Sequence, residues 1–289
     1  MSTQPPTYTW LYAVTVTGAD HPVPPGLTGV AGEALHVVAA TGLSALAGAV
    51  PRTDFDEEPL RARLEDAAWL ERAVRTHHHV VDTLARTAPV LPLRFATLYR
   101  DDRRAAAMLD EHRDELLASL RRTADRVEWG VKAYLAPTGP PTGASAGGAD
   151  AGSTDAGNAD AGSTDAAGGG TPPDPADRPG TAYLLRRRAH RRLQEQALRQ
   201  AADDAVRVHA ALARSAVEAV HHPLQPPEAT GRAEQMVLNG AYLVEQARTA
   251  AFHEAVEALS ARFPGLLLET TGPWPPYSFT TTPREEEPR

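Results

Sequence analysis

Adjacent histidines are the side chains of this sequence that most directly suggest chemistry. His77, His78 and His79 are consecutive, and so are His221 and His222. Consecutive residues of a helix point about 100° apart, so the first three side chains cannot converge on one metal ion as a pair spaced i, i+4 could. We therefore predict structural or solvated roles for these histidines, and no metal site.

Other catalytic signatures are missing from the sequence. It has no cysteine, which excludes thiolate nucleophiles and cysteine-ligated metals. The HExxH, P-loop and GxSxG motifs do not occur, and no GxGxxG stands between a strand and a helix. The 37 acidic residues are too numerous for proximity in sequence to identify an acid–base pair. We predict no catalytic residue and no cofactor.

A basic cluster, Arg186, Arg187 and Arg188 followed by His190, Arg191 and Arg192, lies at the start of a predicted helix. One interpretation is a docking patch for an acidic partner or for nucleic acid. The other is a solvated helix face whose guanidinium stems cover neighbouring apolar groups. The net charge of −8 opposes attraction to nucleic acid and favours the second interpretation.

The segment Trp274, Pro275, Pro276, Tyr277, Ser278 and Phe279 presents three aromatic rings on a stiff frame. Its prolines predict an extended segment that neither continues a sheet nor forms a helix. The rings could fill a groove of their own domain, or they could form a strip that contacts another protein. Aromatic residues make up only 6% of the chain, which favours burial, and both interpretations stay open.

The composition predicts a globular protein of two domains. The chain has 289 residues, 42% of them hydrophobic, about twice the usual domain length. A repeat of ADAGSTDAGN, rich in Ala, Gly and Asp, predicts a disordered linker because it offers little apolar surface to bury. The first residues lack a signal-peptide pattern and no long apolar run occurs, so we expect a cytoplasmic protein without a membrane partner. The predicted divisions are an N-terminal domain (1–136), the linker (137–180), a C-terminal domain (181–280) and a polar tail (281–289).

Hydrophobic periodicity predicts an α+β fold. The N-terminal elements are typical of a ferredoxin-like domain with an extra strand, two helices covering one face of its sheet. The predicted N-terminal strands are 7–16, 35–40, 43–50, 90–95 and 127–135, and the predicted helices are 59–84 and 101–122. The predicted C-terminal helices are 183–213 and 243–263, and the predicted strands are 217–224, 235–244 and 266–271.

Three stretches, 64–100, 126–132 and 239–279, resemble the gas vesicle synthesis proteins of the GvpL/GvpF family. They include the sequences PVLPLRF, RVEWGVK and GPWPPYSF. The resemblance implies a modified ferredoxin-like N-terminal domain and a mainly helical α+β C-terminal domain. It also implies a non-enzymatic protein that is needed for gas vesicle formation and buoyancy, and that contacts the small hydrophobic shell protein and other gas vesicle accessory proteins. Its expected location is the gas-facing side of the shell or the nucleation complex, within the cytoplasm.

The leading hypothesis is an assembly factor or minor shell component that binds the shell protein through a sheet edge or apolar groove of the N-terminal domain. The aromatic residues near 274–279 would then close the site or form a second contact. One alternative is a ligand-binding sensor or regulatory module, since ferredoxin-like domains often hold ligands. A nucleic-acid-binding regulator that uses residues 186–192 is a further alternative.

Overall fold

The computed structural model describes residues 6–17, 23–137 and 179–280, without the side chains of 179–184 and 186. The described residues confirm the α+β class. Nearly all of the predicted linker, and the predicted tail, lie outside the described residues. The strands are β1 (Thr7–Val16), β2 (Leu35–Ala39), β3 (Leu43–Pro51), β4 (Leu91–Pro92), β5 (Leu98–Tyr99), β6 (Arg126–Leu135), β7 (Glu218–His221), β8 (Met236–Glu245) and β9 (Leu266–Trp274). The α-helices are α1 (Arg52–Phe55), α2 (Glu57–Glu65), α3 (Ala67–Ala85), α4 (Asp102–Glu111), α5 (Arg113–Thr123), α6 (Pro179–Ser215), α7 (Pro227–Thr230) and α8 (Thr249–Arg262).

The first sheet has the strand order β2-β3-β1-β4, and β5 also pairs with β1. Its central strand β1 is buried on both faces. Trp10 and Tyr12 join the core that includes α3, whereas Leu11 and Val14 join the core that includes α4 and α5. The helices therefore cover opposite faces of this sheet, and the prediction that both cover one face is wrong. The reason is that the side chains of β1 are apolar on both faces of the sheet, so both faces must be covered.

Both long N-terminal helices are interrupted. Asp66 stands between α2 and α3, and its carboxylate accepts hydrogen bonds from the backbone N–H groups of Ala68 and Trp69. This cap starts a new helix where the apolar periodicity alone predicts continuity. The second predicted helix is divided into α4 and α5 at His112. The predicted strand 90–95 shortens to the two residues of β4.

The second sheet has the order β7-β8-β6-β9. Strand β6 was predicted to belong to the N-terminal domain, but it pairs on one side with β8 and on the other with β9. That placement is corrected by the cross-strand contacts, which sequence periodicity does not encode. Helices α6 and α8 share one apolar core with alternate residues of these strands, among them Trp129, Val131 and Tyr242.

No helix in the described ranges is both long enough and apolar enough to cross a lipid bilayer.

Candidate functional site

Residues 272–280, called here the terminal segment, lie between the two sheets. Ser278 donates two hydrogen bonds to Glu128 of β6, from its N–H to Oε2 (2.7 Å) and from its Oγ to Oε1 (2.6 Å). Glu128 is 8% exposed, and its burial raises the pKa of its carboxyl while the two bonds from Ser278 and the nearby His222 act in the opposite direction. One serine therefore satisfies a buried carboxylate of the second sheet.

The hydroxyl of Ser278 also lies 3.0 Å from Nε2 of His222. Because its single proton goes to Glu128, His222 must donate to Oγ. A nucleophilic serine instead donates its proton to a histidine that a carboxylate orients. The hydroxyl stands here between histidine and carboxylate, which makes these three residues a positioning contact and not a Ser-His-acid catalytic triad.

The neighbours of Ser278 contact the N-terminal unit, which is the first sheet with helices α1 to α5; the second sheet with α6 to α8 is the C-terminal unit. The Tyr277 hydroxyl lies 3.0 Å from Nδ1 of His78 on α3, and the two rings meet edge to face at 4.9 Å. Burial lowers the pKa of His78 and raises that of Tyr277. The terminal segment thus joins α3 to the sheet that contains Glu128.

Phe279 completes this connection. Its ring is 3% exposed and packs with Ala241 and Leu243 of β8, while its carbonyl accepts a hydrogen bond from Arg122 of α5. The hydroxyl of Thr280 also lies 3.4 Å from a carbonyl oxygen of the N-terminal unit. Successive residues of the terminal segment therefore hold opposite sides of the boundary between the units.

Glycine at position 272 permits the close approach of the segment to β6. Gly272 has a φ of 127°, and a Cβ there would lie 2.8 Å from the carbonyl oxygen of Glu128 and 3.0 Å from the Trp129 ring. The prediction that this stretch neither continues a sheet nor forms a helix is wrong. Strand β9 reaches Trp274, which pairs with Glu128 beyond a register shift in β6, and residues 277–279 form a 3₁₀ turn.

The residues of the predicted aromatic strip, 274–279, differ in how deeply they are buried. Pro275, Pro276 and Phe279 are buried and Tyr277 is half-buried. The Trp274 side chain is 41% exposed and lines a groove of about 620 Å³ between the units. Its ring is therefore the aromatic surface of the strip that is open to a partner.

The arginine cluster lies apart from the terminal segment. Arg187 and Arg188 are exposed on α6, and the side chain of Arg186 is outside the described residues. Helix α6 packs on the face of β8 that carries Tyr242, whereas Phe279 packs on the face that carries Ala241 and Leu243. Because alternate residues of a strand face opposite ways, the two predicted contact regions lie on opposite faces of the second sheet.

The adjacent histidines have different surroundings, as their spacing predicted. His77 is fully buried. It accepts a hydrogen bond from the Trp10 indole at Nδ1 (3.2 Å) and lies 3.1 Å from the Leu93 carbonyl oxygen at Nε2, while His79 is exposed. Within the ranges that the structure describes, no group of three or more His, Cys, Asp or Glu residues is arranged to hold a metal ion.

Sequence reasoning missed the partners of the terminal segment. Glu128 carried one available signal, since it is an acidic residue between the apolar residues Val127 and Trp129 of β6. A buried carboxylate requires a hydrogen-bonding partner. The sequence did not indicate that the partner was Ser278, 150 residues away.

Comparison with known proteins identifies the family of this chain. The family model for gas vesicle synthesis protein GvpL/GvpF matches residues 8–281. The chain belongs to the GvpL/GvpF family. It is similar to gas vesicle protein L of a Streptomyces species, at 38% identity over 96% of this chain and 94% of the relative. It is also similar to gas vesicle protein F of the same strain, at 27% identity over 93% of this chain and 98% of the relative.

Solved structures of the GvpL/GvpF family share the fold. The crystal structure of GvpF from Anabaena matches with a TM-score of 0.60 and 16% identity, covering 98% of this chain and all of that chain. GvpF from Microcystis aeruginosa matches with a TM-score of 0.55 and 17% identity, covering 94% and 98%. Family membership gives this GvpL/GvpF protein a role connected with gas vesicles.

Proposed function

We propose that this GvpL/GvpF protein is a non-enzymatic assembly factor, or minor structural component, that binds the hydrophobic shell protein during nucleation and wall growth. A gas vesicle wall must present an apolar inner face to exclude liquid water. Its subunits therefore expose apolar surface and strand edges before assembly, and such surfaces aggregate. A folded accessory protein that covers them and releases them into the wall supplies what the subunit lacks. This role implies a location on the gas-facing side of the shell or in a nucleation complex within the cytoplasm.

The free edge of β2 carries the proposal. β2 pairs with β3 on one side, and among residues 6–17, 23–137 and 179–280 its other side has no strand partner. Val37 on this edge strand is 52% exposed, and beside it is an apolar pocket of about 40 Å³ lined by Val23, Leu27 and Leu84. A strand of the shell protein would add to this edge through backbone hydrogen bonds and place an apolar side chain against the pocket.

Trp274 is the proposed second contact. Its exposed ring lies in the groove between the units, and the buried Pro275 and Pro276 hold the backbone beside it. A rigid aromatic ring loses little conformational entropy when it becomes an interface anchor. Tyr277 and Phe279 then act by holding the segment in place.

Capture of the shell protein by edge variants tests the main contact. A lysine on an edge strand opposes strand addition, so Val37→Lys should lower recovery of co-expressed shell protein in a high-salt pull-down by roughly tenfold. The matched control is Val206→Lys on α6, where the native side chain is 67% exposed. Equal recovery by both variants would contradict the proposed edge. Intact buoyant vesicles in cells lacking this protein and its paralogues would contradict the proposed function.

Trp274→Ala tests the second contact separately. We expect shell-protein binding per folded molecule to fall while the urea midpoint changes little, because the ring is partly exposed. A lower midpoint with unchanged binding would show that Trp274 has a structural role alone.

A further inference from the structure

Helix α6 extends beyond the core that it helps to form. Its 37 residues correspond to a length of about 55 Å. The buried residues Ala201, Ala205, Val208 and Leu212 lie in its C-terminal part. Residues 185–199 are called here the basic arm; its described side chains, 185 and 187–199, are largely exposed, with Leu193 65% exposed. Leu185, at 53% exposure, is a second apolar side chain that the arm leaves in water.

The basic arm carries a concentrated positive charge. Arg187 and Arg191 are four residues apart, as are Arg188 and Arg192, so the two pairs form neighbouring stripes along the helix. All four are exposed, and within the described part of the chain none of them forms an ion pair. Glu195 is the single acidic residue of the arm. A protein with a net charge of −8 thus concentrates unpaired cations on one projecting element.

A groove of about 520 Å³ lies at the base of the arm. Leu198 and Arg191 of the arm form one wall, and Leu135 and Ala136 at the end of β6 contribute to the other. Glu195 and Glu234 also line this groove. These carboxylates disfavour acidic groups inside it, so the acidic groups of a ligand would lie outward, along the arginines.

We propose that the basic arm and this groove form a docking site for an acidic amphipathic segment of another protein. Apolar side chains of that segment occupy the groove, and its carboxylates pair with Arg187, Arg188, Arg191 and Arg192. The site is distinct from the β2 edge and does not depend on shell-protein binding.

The occupant follows from the combination of charge and apolar surface. Nucleic acid would use the arginines, but Glu195 and Glu234 in the groove repel phosphates, which also gain nothing from apolar lining residues such as Leu198. Two copies of the arm repel each other because both are basic. An acidic amphipathic segment matches the arginines and the groove together, and its paired charges set its direction on the helix.

Binding of a defined peptide to the full chain tests this proposal. The probe is a fluorescein-labelled helical peptide with leucines on one face and glutamates beside them, followed by fluorescence anisotropy. Alanine at all four arginines should weaken binding by roughly tenfold or more and reduce its salt dependence. Arg191→Ala alone should give a smaller loss in the same direction. The charge-matched control variant carries alanine at the exposed arginines Arg61, Arg72, Arg75 and Arg103, and it should retain wild-type affinity.

The groove and the alternative ligands have separate tests. Ala233→Trp changes an exposed residue that lines the groove. It should lower the affinity for the peptide several-fold without changing the unfolding midpoint. Equal affinity for a peptide with glutamine in place of glutamate would overturn the proposal, as would unchanged binding by the four-arginine variant. Tighter binding of duplex DNA or of anionic phosphatidylserine vesicles, insensitive to Ala233→Trp, would assign the arm to a polyanion instead.

Discussion

Replacing Ser278 by alanine tests whether the terminal segment is held by the buried carboxylate of Glu128. The change removes the 2.6 Å bond from Oγ to Oε1 together with the 3.0 Å contact between Oγ and His222, and it leaves the 2.7 Å bond from the Ser278 N–H. A hydrogen bond to a charged group contributes about 1.5–3 kcal/mol, so the free energy of unfolding should fall by about that amount. Ser260→Ala, at an exposed position on α8, is the matched control and should change it by less than about 0.5 kcal/mol.

The loss should depend on pH because Glu128 titrates. Burial raises the pKa of Glu128 in the folded protein, and the bonds from Ser278 oppose that rise. Without Oγ the pKa rises further. A carboxyl whose folded-state pKa is raised makes the folded state less stable as the pH increases from the unfolded value through the folded one. The cost of Ser278→Ala should therefore be larger near neutral pH than in mild acid, where Glu128 is increasingly protonated.

Urea unfolding followed by tryptophan fluorescence measures this effect. The wild type, Ser278→Ala, Glu128→Gln and the double variant form a thermodynamic cycle, recorded at about pH 5 and about pH 8. We expect a coupling energy of about 1 kcal/mol or more that grows with pH. A coupling energy indistinguishable from zero at both pH values would refute the assignment of Ser278 as the residue that stabilises Glu128.

Two further predictions concern buried groups elsewhere. Burial lowers the pKa of His77 from 6.5 to about 4, so its neutral form favours folding above pH 6.5 and this stability is lost as the pH falls to about 4. The loss of unfolding free energy should be about 3 kcal/mol. Urea titrations across this pH range should show the loss in the wild type and a weaker dependence on pH in His77→Gln. Equal pH dependence in the two proteins would contradict the argument. Gly272→Ala should lower the unfolding free energy by about 1–3 kcal/mol, because it combines a positive φ with a close contact to the Glu128 carbonyl. Gly265→Ala, where a Cβ meets nothing within 4 Å, is its control in thermal melts, and equal shifts in the two variants would exclude this explanation.

Local patterns predicted most elements but few of their interruptions. The strand 7–16 coincides with β1, because β-branched and aromatic residues favour an extended chain. The helix predicted from 59 to 84 ignored Asp66, whose capping hydrogen bonds divide it. A capping residue inside an apolar periodicity can remain within the helix or start a new one, and the choice depends on how each half packs.

The candidate site was predicted in part. The prolines and aromatic residues of 274–279 drew attention to the terminal segment, and the scarcity of aromatic residues in the chain favoured burial, which Phe279 shows at 3% exposure. The partners Glu128 and His222 did not follow from the sequence. Hydrogen bonds between residues far apart in the chain depend on strand order and register, and neighbouring residues do not encode these.

By itself, the sequence determined the α+β class, the absence of cysteine chemistry and the family. These depend on residue identity and on periods of two or 3.6 residues, which are local properties. Tertiary structure alone decided that β6 joins the second sheet, that helices cover both faces of the first, and that Ser278 meets Glu128. Each of these depends on which apolar faces are buried against each other, and that choice is made by the whole chain as it folds.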